Sequence, residues 1–199
     1  MSVGLIIGLA FLIFVGVTIF KGVRIVPQGY KWIVQRLGKY HSTLNPGLNF
    51  VIPYVDEIAY KVTTKDIVLD IPSQEVITRD NAVLLMNAVA YINLTTPEKA
   101  VYGIENYTWA IQNLVQTSLR SIVGEMDLDD ALSSRDHIKA KLKAAISDDI
   151  SDWGITLKTV EIQDIQPSTT MQAAMEAQAA AERQRRATVT RADGEKQAA

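Results

Sequence analysis

Residues 82–94, Ala-Val-Leu-Leu-Met-Asn-Ala-Val-Ala-Tyr-Ile-Asn-Leu, decide the fold of this 199-residue chain. Every second residue from position 84 onward is apolar, and in a strand these residues would share one face: Leu84, Met86, Ala88, Ala90, Ile92 and Leu94. The intervening positions mix polar with apolar side chains. A period of two that is sustained this long predicts a β-strand with one fully buried face.

More strands are predicted upstream. Residues 74–77 lead into the turn-forming run 79–81, which predicts a hairpin with the strand at 82–94. Alternation over residues 66–71 predicts a separate strand that Pro72 closes. We place the apolar run 48–54 at a sheet edge or outside the sheet, because its proline lacks the N–H that a central strand donates.

The pattern becomes helical after the long strand. Thr96-Pro97-Glu98 supplies an N-cap, a first-turn proline and an acid, and Asn106 is placed to cap a second helix. Ser133 is predicted to begin a third helix, whose apolar residues recur every four positions. Residues 155–165 then predict a strand whose apolar phase slips midway, as a bulge would cause. Sheet, helices and a returning strand together predict an α+β fold.

The N-terminal segment is predicted to span a membrane. Residues 3–20 carry no charge, and 18 residues at about 1.5 Å each give roughly 27 Å, close to the ~30 Å thickness of bilayer hydrocarbon. We predict an uncleaved anchor over residues 1–22, which the apolar residues among 23–26 would lengthen. A cleaved signal peptide is disfavoured because neither a basic leading region nor a small-x-small cleavage site is present.

Charge predicts the orientation of this anchor. No charged side chain precedes it, and the residues that follow it include Lys21, Arg24, Lys31, Arg36 and Lys39. The positive-inside rule therefore predicts a cytoplasmic soluble part and a two-residue N-terminus, Met1 and Ser2, on the outside.

Two sets of residues are candidate contact sites. Gly4, Gly8 and Gly16 lie along one stripe of the anchor and would let a partner helix approach closely, although glycine is common in such helices. Near the anchor in sequence, we predict a second membrane contact, with an ordinary buried edge strand as the alternative. Its residues are Phe50, Val51, Ile52 and Tyr54.

No catalytic, cofactor-binding or metal-binding set is predicted. Cysteine is absent, and the two histidines, His41 and His137, are far apart in sequence. The acidic run 125–130 lacks the spacing of a calcium loop and is interpreted as a solvated connection between two helices. Since 20 Lys and Arg stand against 22 Asp and Glu, a broad basic face for nucleic acid is not indicated.

The C-terminal segment is rich in Ala, Gln, Glu and Arg from Ser168 onward, and it predicts a helix. Its apolar stripe contains no Leu, Ile or Phe, so we expect it to pack against copies of itself. Because no stop signal occurs before Ala199, we expect a longer natural chain.

Several runs in combination resemble the SPFH, or band 7, superfamily of stomatin, prohibitin and flotillin. The resemblance is strongest to the bacterial stomatin-like branch, also called paraslipin or QmcA-like. These runs are VPQGY (26–30), QRLGKY (35–40), LNPGLNFVIPYVDEI (44–58), DIPSQEVITRDN (70–81), SSRDHI (133–138), DWGI (152–155), EIQDIQP (161–167) and AERQRRA (181–187).

The resemblance implies two small SPFH subdomains and a long coiled-coil helix. It divides the soluble part into a β-rich first subdomain over 23–95, a second subdomain over 96–166 and the start of the helix over 167–199. It also implies a homo-oligomeric ring or cage on the bacterial inner or plasma membrane. Such an assembly encloses a membrane microdomain and holds client proteins, a membrane protease or an NfeD-type membrane protein among them.

Three functions compete at this point. The first is a non-enzymatic membrane scaffold, and the second is an accessory or regulatory subunit of a membrane protease. The third is a membrane-bound hydrolase, which the absence of a recognisable nucleophile set disfavours. No nucleic-acid partner and no cofactor are expected for any of them.

Overall fold

The computed structural model describes the backbone of residues 3–198 and the side chains in that range other than those of 3, 5, 6 and 191–198. Its helices are α1 (Val3–Gly22), α2 (Pro97–Gly103), α3 (Tyr107–Gly124), α4 (Leu128–Ser133), α5 (Arg135–Asp152) and α6 (Thr169–Ala198). Its strands are β1 (Val23–Val26), β2 (Tyr30–Arg36), β3 (Lys39–Leu44), β4 (Gly47–Phe50), β5 (Asp56–Thr63), β6 (Ile67–Ile77), β7 (Val83–Leu94) and β8 (Ile155–Pro167). The predicted α+β class is confirmed.

Three small sheets contain these strands. Strands β1 and β4 pair alone, β2 lies between β3 and β5, and β7 lies between β6 and β8. The first two sheets are antiparallel, and β2 carries register shifts opposite both neighbours. Such shifts increase local twist, which suits a small sheet that wraps over its own core.

The long central strand agrees with its sequence pattern. The six apolar residues on its predicted inner side, from Leu84 to Leu94, are at most 1% exposed. Strand β8 also changes its buried side as the pattern indicates, since Leu157 and Val160 are both buried although three positions apart.

The predicted break at Pro72 is wrong, because β6 runs unbroken from Ile67 to Ile77. An edge strand tolerates proline, since only the inner side of such a strand needs N–H groups for the ladder, and β6 lies at the edge of its sheet. Two side chains of α3 donate hydrogen bonds to β6. Gln112 Nε2 donates to the Asp70 carbonyl at 2.8 Å, and Arg120 Nη2 donates to Gln74 Oε1 at 3.4 Å.

The predicted start of the third helix at Ser133 is also wrong. Ser133 ends the short helix α4, which occupies part of the acidic segment that we interpreted as a plain connection. Asp129 and Asp130 lie in the first turn of α4, where the helix dipole favours negative charge. Ser134 has a non-helical backbone, and its carbonyl accepts from the amides of His137 and Ile138 as α5 begins.

Helix α1 occupies the predicted anchor segment. Within the described residues, no helix is long and apolar enough to cross a membrane. The anchor over 1–22 therefore stays a prediction, and Met1 and Ser2 lie outside the described residues. The proposed lengthening of this helix through residues 23–26 is wrong, because these residues form β1 and pair with β4.

Contacts divide the chain into two compact units, each assembled from three segments. Unit 1 comprises Met1–Leu69, Tyr91–Ile111 and Ser147–Thr159, and unit 2 comprises Asp70–Ala90, Gln112–Ile146 and Val160–Ala199. In unit 1 a small core contains Val26, Val34, Leu44 and Val51, with Trp32 and Ile58 packed against it. In unit 2 the buried side chains come mainly from β6, β7, α3, the first part of α5 and β8. The predicted boundaries after residues 22, 95 and 166 stay predictions.

A tight turn before β8 depends on glycine. Gly154 has a φ of +71°, and its carbonyl accepts from the amides of Thr95 and Thr96 at 3.1 and 2.9 Å. A Cβ atom added to Gly154 would clash with the Thr96 carbonyl oxygen. The turn therefore excludes a side chain both by backbone conformation and by space.

We expect Gly154→Ala to lower the free energy of unfolding by about 3 kcal/mol, from the left-handed backbone and the clash together. Gly38→Ala is the matched control, because Gly38 has a similar φ of +80° with no atom within 4 Å of an added Cβ. That control should cost only about 1–2 kcal/mol. Urea denaturation of both variants checks this, and equal losses would show that the close approach to Thr96 does not matter.

Candidate functional site

One face of the β1–β4 ribbon is apolar and exposed. Val23 lies directly opposite Phe50, and Ile25 directly opposite Leu48, so the four side chains share one face. Their exposed fractions are 39%, 60%, 69% and 77%, respectively. On the other face Val26 is buried in the core of unit 1. A ribbon that buries one face and exposes four large apolar side chains on the other presents a surface for a partner or a lipid phase.

The loop after β4 extends this apolar surface. Ile52 and Tyr54 are 46% and 72% exposed, whereas Val51 is buried in the unit 1 core. Three of the four residues predicted to touch a membrane are therefore available, and Val51 instead fixes the loop to the protein. We call Val23, Ile25, Leu48, Phe50, Ile52 and Tyr54 the apolar face.

Helix α1 joins the apolar face without a linker. The Val51 amide donates to the Gly22 carbonyl at 2.8 Å. A Cβ atom on Gly22 would lie 2.7 Å from the Phe50 ring and 2.8 Å from the Val51 carbonyl oxygen. Only glycine fits at this crossing, so the end of α1, the ring of Phe50 and the loop are packed as one piece.

Arg36 and Asp56 hold the far end of the loop. Arg36 Nε and Nη2 donate to the two carboxylate oxygens of Asp56 at 2.7 and 3.1 Å. Asp56 Oδ2 also accepts from the Ile52 amide at 2.9 Å, and the Asp56 amide donates back to the Ile52 carbonyl at 2.9 Å. The hydrogen bonds from Arg36 lower the pKa of Asp56 to about 2, against an opposing effect of burial.

The glycine stripe that was predicted to contact a partner helix is open. Added Cβ atoms on Gly4, Gly8 and Gly16 meet no atom within 4 Å. Apolar side chains elsewhere on α1 are exposed as well, Phe20 by 85% and Leu12 by 70%. The stripe stays a prediction, since no partner chain is present.

Sequence reasoning missed three members of the apolar face, namely Val23, Ile25 and Leu48. The signal was available, because Val-Arg-Ile and Leu-Asn-Phe alternate apolar with polar residues, as in a strand with one apolar face. The first two were read instead as an extension of the helix.

Among the described residues, the histidines and acidic residues considered in the sequence analysis do not come together as a catalytic or metal-binding site. His41 and His137 are both exposed and belong to different units. Across the described residues, no group of three His, Cys, Asp or Glu side chains is placed to hold a metal ion. Asp127 pairs with Arg79, and Asp80 accepts from the Leu128 amide at 3.2 Å, so two acids near α4 have structural roles.

The chain is similar to a known protein family and to several known proteins. The model of the SPFH domain / Band 7 family matches residues 24–196. An uncharacterised protein of Methanocaldococcus jannaschii is 41% identical over 178 residues, 89% of this chain and 89% of its own length. Human mitochondrial stomatin-like protein 2 is 38% identical over 177 residues, 89% of this chain and 50% of its own length.

The aligned region covers only part of some relatives. An uncharacterised protein of Mycobacterium tuberculosis is 36% identical over 195 residues, 96% of this chain but 51% of its own length. This chain thus spans about half the length of that protein and of the human one.

The Arg36–Asp56 pair predicts a pH dependence of stability. Since folding lowers the pKa of Asp56 from 3.8 to about 2, its stabilisation is fully present above about pH 4 and is lost as the pH falls towards 2. We expect Asp56→Asn to be less stable than the wild type at pH 7, with a difference that shrinks between pH 4 and pH 2.

Urea denaturation at stepped pH measures this difference. Glu57→Gln is the control, because it removes the same charge from the exposed neighbour, and its difference from the wild type should stay near zero. A wild-type advantage over Asp56→Asn that persists undiminished at pH 2 would contradict the assignment.

Proposed function

We propose, because the chain belongs to the SPFH domain / Band 7 family, that it is a non-enzymatic membrane scaffold. Copies of it associate into a ring or cage that encloses a membrane microdomain and the client membrane proteins within it. The observation that carries this proposal is the apolar face, which is packed directly against the end of α1 and has no partner among the described residues.

The anchor is the first element of the proposal. Its support is the uncharged run over residues 3–20 and the exposure of large apolar side chains along the described part of α1. In water such a helix would leave these side chains hydrated at a cost of roughly 1.5–3 kcal/mol each, which a lipid environment removes. The basic residues that follow support a cytoplasmic soluble part, in a bacterial inner or plasma membrane.

The second element is a shallow contact with the cytoplasmic leaflet. Phe50, Ile52 and Tyr54 lie beside the end of α1, where a membrane-spanning helix would leave the hydrocarbon. Tyr54 has an apolar ring and a polar hydroxyl, which suits the boundary between lipid tails and headgroups. Val51 contributes indirectly, by tying the loop to the unit 1 core.

Self-association is the third element. Helix α6 has 30 residues, about 45 Å of helix, and its side chains from residue 172 to residue 190 are exposed apart from Glu182. A helix of that length with few large apolar residues gains little by itself, so neighbouring copies are the natural packing partners. The open stripe of Gly4, Gly8 and Gly16 is the proposed contact for another membrane helix, such as an NfeD-type protein.

Particle mass tests the scaffold. The protein is extracted in mild detergent, its mass is measured by size exclusion with light scattering, and its shape by negative-stain imaging. We expect closed particles of many copies, because a heterologous contact between identical subunits gives a ring when the rotation from one subunit to the next closes on itself. A monomer or dimer as the only species would contradict the scaffold, and a peptidase that co-purifies in fixed ratio would favour the accessory-subunit function.

Depth in the bilayer tests the leaflet contact. Because the chain has no cysteine, Tyr54→Cys allows a single environment-sensitive fluorophore to be attached there. We expect its emission to shift to the blue on reconstitution into vesicles, as the dye leaves water. Glu105→Cys is the control, since this exposed position of unit 1 lies between α2 and α3, and its emission should not move. An equal emission shift of the two dyes would contradict the leaflet contact.

A further inference from the structure

The sheet of β3, β2 and β5 has a second side, opposite to the unit 1 core. The residues of β2 that alternate with Ile33 and Gln35 pack on that core, so these two lie on the other side. Directly opposite Gln35 are Tyr40 on β3 and Glu57 on β5, and Tyr60 is directly opposite Ile33. Because directly opposed residues of neighbouring strands share a side, these five side chains line the same side of the sheet.

Helix α2 lies on this side of the sheet and is attached to it by Tyr102. Gln35 Nε2 donates to the Tyr102 hydroxyl at 2.8 Å. The rings of Tyr40 and Tyr60 meet the Tyr102 ring edge to face, with centroids 6.0 and 5.8 Å away. All three tyrosines remain half-exposed. These contacts hold the rings in place and leave aromatic surface open to a partner.

A groove of about 310 Å³ lies beside these rings, and Tyr60 forms one wall of it. Its other lining residues are Ala100, Val101, Ile104, Glu105 and Tyr107. The groove therefore offers apolar and aromatic surface together with a carboxylate.

Carboxylates flank the tyrosines. Glu98 accepts from Thr43 Oγ1 at 3.3 Å, and Glu57 and Glu105 are exposed. Among the described ion pairs, none includes Glu57, Glu98 or Glu105. Lys31 shares this side of the sheet but lies at the other end of β2. The three carboxylates consequently leave an excess of negative charge beside the rings. We call Tyr40, Tyr60, Tyr102, Glu57, Glu98 and Glu105 the acidic aromatic face.

Aromatic rings next to carboxylates match the chemistry of arginine and lysine. A guanidinium stacks on a ring face and pairs with a carboxylate, and its aliphatic stem suits an apolar groove. The acidic aromatic face is also close to the loop proposed to touch the leaflet, because Glu57 follows Asp56, whose amide donates to the Ile52 carbonyl at 2.9 Å. Cytoplasmic segments next to membrane helices are rich in Lys and Arg, so another protein in the same membrane carries the matching charge beside the same leaflet.

We propose that the acidic aromatic face binds the basic cytoplasmic segments that flank the membrane helices of client proteins. This inference rests on the proposed function, because it takes unit 1 to lie at the cytoplasmic leaflet and the clients to lie within the assembly. It also explains how clients of unrelated sequence share one site, since the feature recognised is the positive charge that orients their membrane helices.

Peptide binding measures this preference. The full chain in a mild uncharged detergent is titrated into a labelled peptide in which four arginines alternate with serines, and fluorescence anisotropy gives the affinity. One exposed ion pair contributes up to about fivefold in affinity. Since more than one carboxylate is available, we expect binding about tenfold tighter than that of the same peptide with glutamine for arginine, and loss of this difference in 0.5 M salt.

Matched variants assign the binding to this face. E57Q/E105Q should weaken binding of the arginine peptide about tenfold. E75Q/E176Q removes two exposed carboxylates from unit 2 and should bind as the wild type does. Y60L should weaken binding about threefold and Y60F should not, because the cation needs the ring and not the hydroxyl.

The outcomes separate this inference from the scaffold. Equal affinity for the arginine and glutamine peptides, or undiminished binding by E57Q/E105Q, overturns the inference and leaves the scaffold to the particle-mass measurement. Tighter binding of a peptide of residues 181–187 than of the arginine peptide also overturns it, because the occupant would then be a second copy of this chain. A protein that binds the arginine peptide but forms no closed particles supports this face as a site for basic segments and contradicts the scaffold.

Discussion

The segment from Phe50 to Asp56 is fixed at both ends, and the surface of unit 1 depends on this double attachment. At one end the Val51 amide bonds to the last carbonyl of α1, in a crossing so close that only Gly22 fits. At the other end the Asp56 carboxylate accepts hydrogen bonds from the Arg36 guanidinium and from the Ile52 amide. Between them Val51 enters the core, so Phe50, Ile52 and Tyr54 remain outside.

Patterns with a strict period were predictable from the sequence, and single-residue boundaries were not. The alternation over residues 82–94 correctly predicted which side chains of β7 are buried, because a strand with one buried face needs an apolar residue at every second position. Pro72 and Ser133 were misread because their meaning depends on neighbours. A proline stays inside a strand when that strand is at an edge, and a serine can end one helix when another helix begins two residues later.

Only half of the apolar face could be predicted from the sequence, for a related reason. Phe50, Ile52 and Tyr54 stand out as apolar residues near a turn, but Val23, Ile25 and Leu48 acquire significance only once β1 is paired with β4. A four-residue strand directly after an apolar helix has too few positions to be distinguished from the helix by periodicity. Likewise, Lys21 and Tyr54 are 33 positions apart in sequence, and only the fold brings the lysine amine over the tyrosine ring.

The direct junction of α1 and β1 has a mechanical consequence. Helix α1 ends at Gly22 and β1 begins at Val23, so the two elements meet as a stiff elbow. A membrane-spanning helix changes its tilt when the hydrocarbon layer thickens or thins. Through this elbow a change of tilt would turn the ribbon by a corresponding angle, without slack to absorb it. With α1 as the proposed anchor, bilayer thickness would in this way set the orientation of the β1–β4 ribbon.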